Sequence, residues 1–307
     1  MQELITTFAN VLAPVFLLVL LGYLAGPWLS LDSRTLSRFS YYILTPAFIF
    51  DIMSKARVDP GLAVRMTSYI MLIHVLCAAL GLIVARLLRR PPQMVAAYVL
   101  IAVFGNVGNF GLPIVRFRFP GDAAALATAT IYFLAIMIIA FIICVAAANW
   151  HRGGSIRAVV AVFKTPALLA VPPALLMNWA NLDYGVSLPP IISRPIELLA
   201  AAMIPTMVVA LGCQLAGAGI PRPNMDMLIA SAVRLLGGPL LAFGLAAPFG
   251  LAGIERSVGI LQASMPAAVL VSIIAVENDL LPEFVIATVL FSTLASVVTL
   301  TIVLTLL

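Results

Sequence analysis

Long apolar runs alternate with short polar connections along the whole chain, and ten of the runs approach the roughly twenty residues that an α-helix needs to cross a bilayer. In order they are Leu4 to Ala25, Ser37 to Met53, Met66 to Leu88, Val95 to Val115, Ala123 to Ala148, Val159 to Trp179, Ile191 to Ala216, Met225 to Phe249, Val258 to Val276 and Leu281 to Leu307. The longest polar stretch is the short centre His151 to Arg157, which leaves no room for a soluble domain. The pattern predicts an all-α polytopic membrane protein with ten transmembrane helices.

Two of the runs are interrupted. The fourth contains Phe104-Gly105-Asn106-Val107-Gly108-Asn109-Phe110-Gly111-Leu112-Pro113-Ile114-Val115, where a plain anchor would carry Leu and Ile. Pro113 has no N–H and its ring clashes with the carbonyl four residues back, while the glycines remove the steric objection to unwinding. The ninth run contains Gln262-Ala263-Ser264-Met265-Pro266-Ala267-Ala268. Helix breaks are therefore expected near Gly108 to Pro113 and near Ser264 to Ala267, and in lipid a break survives only where it is buried in protein or lines a watery cavity.

Proline positions also disclose a repeat. Pro14, Pro46 and Pro113 match Pro173, Pro205 and Pro266 at a near-constant offset, and Leu44-Thr45-Pro46-Ala47 resembles Ile204-Pro205-Thr206. This pairs the first run with the sixth, the second with the seventh and the fourth with the ninth. The halves are 1–150 and 151–307, and five spans in each require them to be inverted relative to one another. The two broken helices are expected to cross.

Composition supports a bilayer solvent: 63% of the 307 residues are hydrophobic and 9% charged, against about half and about a quarter in a soluble domain. The start, Met1-Gln2-Glu3, has no basic leader region and reads as the flank of a retained helix. The net charge of +5 comes from loop arginines and lysines, which suits membrane flanks and calls for no nucleic-acid partner. One set of alternate loops holds Arg34, Arg38, Arg86, Arg89, Arg90, Arg152, Arg157, Lys164 and Arg222; the other holds Lys55, Arg57, Arg65, Arg116, Arg118, Arg194 and Arg256. The richer first set should be cytoplasmic, with both termini outside the cytoplasm. Cys77, Cys144 and Cys213 all fall within apolar runs, which argues against disulfides and metal sites.

If Pro113 and Pro266 open the second halves of the broken helices, two half-helix N-termini face the membrane midplane, each equivalent to about +0.5 elementary charge. Such a place attracts a carboxylate. Asn106 and Asn109 add carboxamides around Gly111 and Pro113; Gln262 and Ser264 do so beside Pro266; Thr45, Thr206 and Gln214 can line the same cavity. The plainer alternative is that the asparagine amides satisfy the opened backbone and that Thr45, Thr206 and Ser264 bond their own helices. No Asp, Glu or Lys lies within the fourth or ninth run, which disfavours a proton antiporter with a carboxylate at the crossing. Arg234, inside the eighth run, either needs a partner or snorkels to the surface, and His74 reads as a hydrogen-bonded core residue. Asp51 and Glu197 are expected at the interface. The anion site is expected to work without a basic side chain at its centre.

Four signatures carry a family resemblance: Tyr42-Ile43-Leu44-Thr45-Pro46-Ala47, Gly105 to Pro113, Ile204-Pro205 with Ala210-Leu211-Gly212-Cys213-Gln214-Leu215, and Ala263-Ser264-Met265-Pro266. With the length and the ten-run layout, the whole chain resembles the auxin efflux carrier family of PIN-like transporters, in the short bacterial form that lacks a large central cytoplasmic loop. The resemblance implies a scaffold of helices 1, 2, 6 and 7 and a transport domain of helices 3–5 and 8–10 that moves as an elevator. It implies a bacterial inner-membrane location and small organic anions as substrates, dicarboxylates such as malate and malonate or auxin-like acids. No cofactor is expected, the coupling ion (proton or sodium) is open, and a homodimer is compatible. A sodium-coupled symporter of the bile-acid type and a passive channel remain alternatives. An intramembrane hydrolase is disfavoured, since neither GxSxG nor HExxH occurs.

Overall fold

The computed structural model describes residues 5–6, 8–148, 164–218 and 223–307, which are helical throughout apart from turns, connections and one isolated two-residue β-bridge. Arg152, Arg157, Arg222, the polar centre 151–157, the first three residues and the start of the sixth expected span lie outside them. The helices are α1 (Ala13–Trp28), α2 (Ser33–Phe39), α3 (Thr45–Lys55), α4 (Pro60–Leu87), α5 (Pro92–Val103), α6 (Leu112–Arg118), α7 (Ala123–Ala148), α8 (Pro166–Leu169), α9 (Val171–Tyr184), α10 (Pro190–Ala218), α11 (Met225–Ala232), α12 (Gly238–Ala246), α13 (Gly253–Ala263), α14 (Val269–Glu277) and α15 (Pro282–Thr305). Wider turns with i→i+5 character precede α1 and join α2 to α3 and α11 to α12.

Among the described residues, six stretches are long and apolar enough to cross a bilayer unbroken: Phe8–Trp28, Pro60–Leu87, Ala123–Ala148, Pro190–Gly217, Met225–Ala246 and Pro282–Thr305. They match the first, third, fifth, seventh, eighth and tenth expected spans. Of the other four, the sixth begins outside the described residues and is described from there as α8 and α9. The fourth and ninth are each two half-helices, and the second begins with the polar turns of Ser33, Arg34, Thr35, Ser37 and Arg38. Large side chains such as Leu17, Leu21, Leu24, Ile83, Leu240 and Val298 stand exposed on these helices, as lipid contact requires.

Helix starts are written into the sequence. Asp32 accepts from the N–H groups of Arg34 and Thr35 at the head of α2, Asp59 from Leu62 N–H at the head of α4, and Asn224 from Met227 N–H at the head of α11. The Thr35 hydroxyl and these N–H donors hold the Asp32 carboxyl below the usual carboxylate range.

Packing between helices depends on small residues, because lipid supplies no hydrophobic drive for association. Gly22 and Gly26 on α1 form a GxxxG pair against Gly212 and Cys213 on α10. A Cβ at Gly22 or Gly212 would overlap the facing backbone, and the Cys213 thiol reaches Gly22 O at 3.3 Å. Cys77, Cys144 and Cys213 are all free thiols. Elsewhere tyrosine hydroxyls tie helices together: Tyr69 donates to Ala242 O (2.8 Å), Tyr132 to Glu255 O (2.9 Å) and Tyr98 to the Asp226 carboxylate (2.8 Å). His74 is buried with Nδ1 2.7 Å from Ile70 O, as expected of a core residue.

Candidate functional site

The two interrupted segments meet. α5 stops at Val103, Phe104 is extended, Gly105 sits in the β-bridge, Asn106 turns the chain (φ −77°, ψ 56°), and a wide turn, Val107–Gly111, leads into α6. α13 stops at Ala263, and Met265 to Ala268 run extended into α14. The extended pieces pair antiparallel around Gly105 and Ala267: Asn106 N–H donates to Pro266 O at 2.7 Å and Ala268 N–H to Phe104 O at 2.8 Å. Ala267 N–H donates to the Ser292 hydroxyl on α15 at 3.2 Å. Backbone groups freed by one break are thus satisfied largely by the other, which is how non-helical chain persists at depth.

The first break lies upstream of its expected place. Pro113 does not open the second half-helix; it sits in the first turn of α6, behind the wide turn in which Phe110 and Gly111 both donate to Asn106 O (3.1 and 3.0 Å). The proline widens the helix, and the pairing with the other segment sets where the chain is extended. Pro266 lies inside its break as expected, because a proline drives the residue before it, here Met265, out of the helical region.

Arg234 overturns the expectation of a centre without a basic side chain. It stands on the wide turn Val233–Gly237 between α11 and α12 and is 0% exposed, so it does not snorkel. Its Nε donates to Met265 O (2.8 Å), Nη1 to Ala102 O (3.0 Å) and Val103 O (3.2 Å), and Nη2 to Ala263 O (3.1 Å). No carboxylate pairs with it among the described residues. The carbonyls of Ala102 and Val103 end α5 and that of Ala263 ends α13, with Met265 O just beyond it in the break; two helix C-termini there each carry about −0.5 charge. The guanidinium cancels that charge and leaves the positive N-termini of the Val107–Arg118 run and of α14 uncompensated. Gly105 makes the approach possible, since a Cβ there would overlap Nη2. Sequence reasoning noticed Arg234 but not its place; the available signal was an intramembrane cation with no acid at its depth.

The expected site residues divide into groups. Asn106 is 4% exposed and its Nδ2 has no partner; Gln262 is 0% exposed and both of its amide atoms are unpartnered among the described residues. The Gln262 carboxamide lies against Gly111, where a Cβ would overlap Oε1. Buried groups left open cost about 1–3 kcal/mol each, so each of these amides asks for a water or a ligand. Asn109 is half-buried. Ser264 and Thr206 instead spend their hydroxyls on their own helices, donating to Ile260 O (2.6 Å) and Ala202 O (2.7 Å). Thr45 is buried with its hydroxyl unpartnered.

α10 reaches the crossing at Met207, which lies near Gly108, while Phe16 of α1 meets Phe110 edge-on at 5.4 Å. Gln214 is two turns further along α10, about 10 Å, and donates to the Ser37 hydroxyl at 2.8 Å. Asp51 and Glu197 share Lys55 at 2.5 and 2.8 Å. They flank a separate polar cavity of about 200 Å³ between α3, α9 and α10.

A family model described as membrane transport protein matches residues 7–158 and 163–304. The chain is 27% identical over 296 residues to an uncharacterized transporter of Methanothermobacter thermautotrophicus, covering 93% of this chain and 94% of that one. It is 22% identical over 280 residues to an uncharacterized transporter of Methanocaldococcus jannaschii, covering 88% and 89%.

Proposed function

Because the chain belongs to the membrane transport protein family, the auxin efflux carrier-like family, we propose that this multi-pass membrane protein is a secondary active transporter of small organic anions. The observation that carries the reading is the paired break with Arg234 set on its two C-termini. In that arrangement the remaining helix N-termini and the open amides of Asn106 and Gln262 present positive potential and donors to a carboxylate. Asn109, Gly111, Pro113, Ser264 and Pro266 shape the same place, with Thr45 and Thr206 on the facing helices; Gln214 belongs to it only in a second conformation.

The chain is read as two inverted halves, 1–150 and 151–307. α1 to α3 and α8 to α10 form the scaffold, and α4 to α7 with α11 to α15 carry the crossing across the membrane as an elevator. The GxxxG contact between α1 and α10 supports a rigid scaffold, and the burial of Asn106 and Gln262 supports an occluded state that must open to load. We read the termini as lying outside the cytoplasm of a bacterial inner membrane, which the richer set of arginine loops supports.

Arg234 already occupies the carbonyls that would otherwise ligand a cation, which favours this reading over sodium-coupled symport of the bile-acid type. The test is uptake of labelled malate, malonate and an auxin-like acid into proteoliposomes. Saturable uptake that persists when choline replaces sodium is expected. Non-saturable flux would make the protein a channel, and strict sodium dependence would restore the symporter.

A further inference from the structure

Between α4, α5 and α7 runs an apolar groove of about 450 Å³, walled by Ala78, Ala79, Val95, Ala96, Ile143 and Ala147. Alanines on all three helices keep it open. From Ala78 to Arg86 it extends about 12 Å along α4, close to the roughly 15 Å depth of one leaflet of hydrocarbon. Its mouth carries Arg86 and Arg90. Arg86 is exposed and forms no ion pair among the described residues, whereas Arg90 donates from Nε to Asp226 at 2.8 Å.

The third cation at this end is held at a conformational cost. Arg89 has φ of 54°, in the left-handed region, at the point where Arg90 N–H donates to Ala85 O (3.0 Å) to close α4. Glycine or asparagine is the ordinary choice there; Arg89 instead adds an exposed cation to this end of α4. Pro91 and Pro92 follow at once and fix the chain that presents these side chains.

The geometry points to a site for one anionic phospholipid, with an acyl chain lying in the groove and the phosphate against the guanidinium groups of Arg86 and Arg89. Basic clusters at the ends of membrane helices attract such headgroups, and here an apolar slot of matching depth adjoins the cluster. The site is separate from the crossing and does not depend on which anion is transported.

Native mass spectrometry of the purified full chain, titrated with phosphatidylglycerol or with phosphatidylcholine of the same acyl chains, tests it. The parent should retain phosphatidylglycerol on the order of tenfold better, and Arg86→Gln combined with Arg89→Gln should bring the two lipids within about twofold. Arg89→Gly alone should raise the melting temperature while weakening phosphatidylglycerol retention. Equal retention of both lipids by the parent overturns the proposal, as does an unchanged preference in the double variant. Displacement by inorganic phosphate would make this a free-anion site and overturn it too. Ala146→Leu narrows the groove and should weaken retention of both lipids; unchanged retention would put the acyl chains elsewhere and also overturn it.

Discussion

The two breaks form one paired piece of backbone but differ in their side chains. In the second-half segment the proline lies within the break and the nearby hydroxyl of Ser264 is spent on Ile260 O. In the first-half segment the proline lies beyond the break and Asn106 at the junction keeps an unpartnered amide among the described residues, as Gln262 does in the second-half segment. The backbone pairing is reciprocal, with one N–H from each segment donating to the other. Backbone pairing is therefore shared by the two segments, each contributes one open carboxamide, and the proline and the committed hydroxyl are what set them apart. Arg234 is the clearest asymmetry, a single cation from one half serving the carbonyl ends of both.

The largest effect is expected from Arg234→Ala. It strips the donor from four buried carbonyls, and each buried acceptor left unsatisfied costs about 1–3 kcal/mol. Little folded protein, or a melting temperature far below the parent's, is expected in detergent. Arg234→Lys should fall between, since an ammonium cannot reproduce the planar fork. A near-parental melt for the alanine variant would show that the C-termini do not need the charge.

A smaller effect is expected at the glycines that admit the two key side chains. Gly105→Ala places a Cβ on Arg234 and Gly111→Ala places one on Gln262. Each should destabilise by about 1–3 kcal/mol, the ordinary cost of overpacking. Since Arg234 is bound at four places and Gln262 at none, Gly105→Ala should lower the melting temperature more. Equal shifts would mean that Gln262 is as firmly held as Arg234.

Asymmetry in binding is sharpened by Asn106→Ala against Ser264→Ala. Loss of a hydrogen bond to a charged acceptor is worth about 1.5–3 kcal/mol, so the asparagine variant should weaken organic-acid binding by about tenfold to a hundredfold. The serine variant should stay within about twofold, because its hydroxyl is already committed to the helix. Isothermal titration with the acid found in transport assays reads both, and Asn109→Ala should follow Asn106→Ala. A serine variant as damaged as the asparagine variant would remove the asymmetry.

The smallest effect is expected at Arg116, exposed near the end of α6. Arg116→Gln should slow association at low salt and flatten its salt dependence, with equilibrium binding nearly unchanged, as for a charge that steers from a distance. Loss of equilibrium binding would move the site toward Arg116 and Arg118.

Much of this molecule was legible in the sequence. Uninterrupted apolar length is a local property, so six spans can be read by counting. The Asn, Gly and Pro residues at Gly105 to Pro113 and Ser264 to Ala267 mark broken helices because an unbroken one has no use for them in lipid. The family resemblance rested on the same stretches, and the family match across the chain agrees with it. Tertiary structure alone decided the rest. The register of the first break depends on pairing with Pro266, some 160 residues away in the chain, so local helix chemistry placed it too near Pro113. Arg234 meets Ala102 from 132 residues away and Ala263 from 29, and nothing in the eighth segment's own pattern says which carbonyls it will face. Side-chain hydroxyls and carboxamides are the least legible of all. Whether Ser264 bonds its own helix and Gln262 bonds nothing is settled by which neighbour stands within 3 Å once the helices have packed, and a one-dimensional string does not contain that distance.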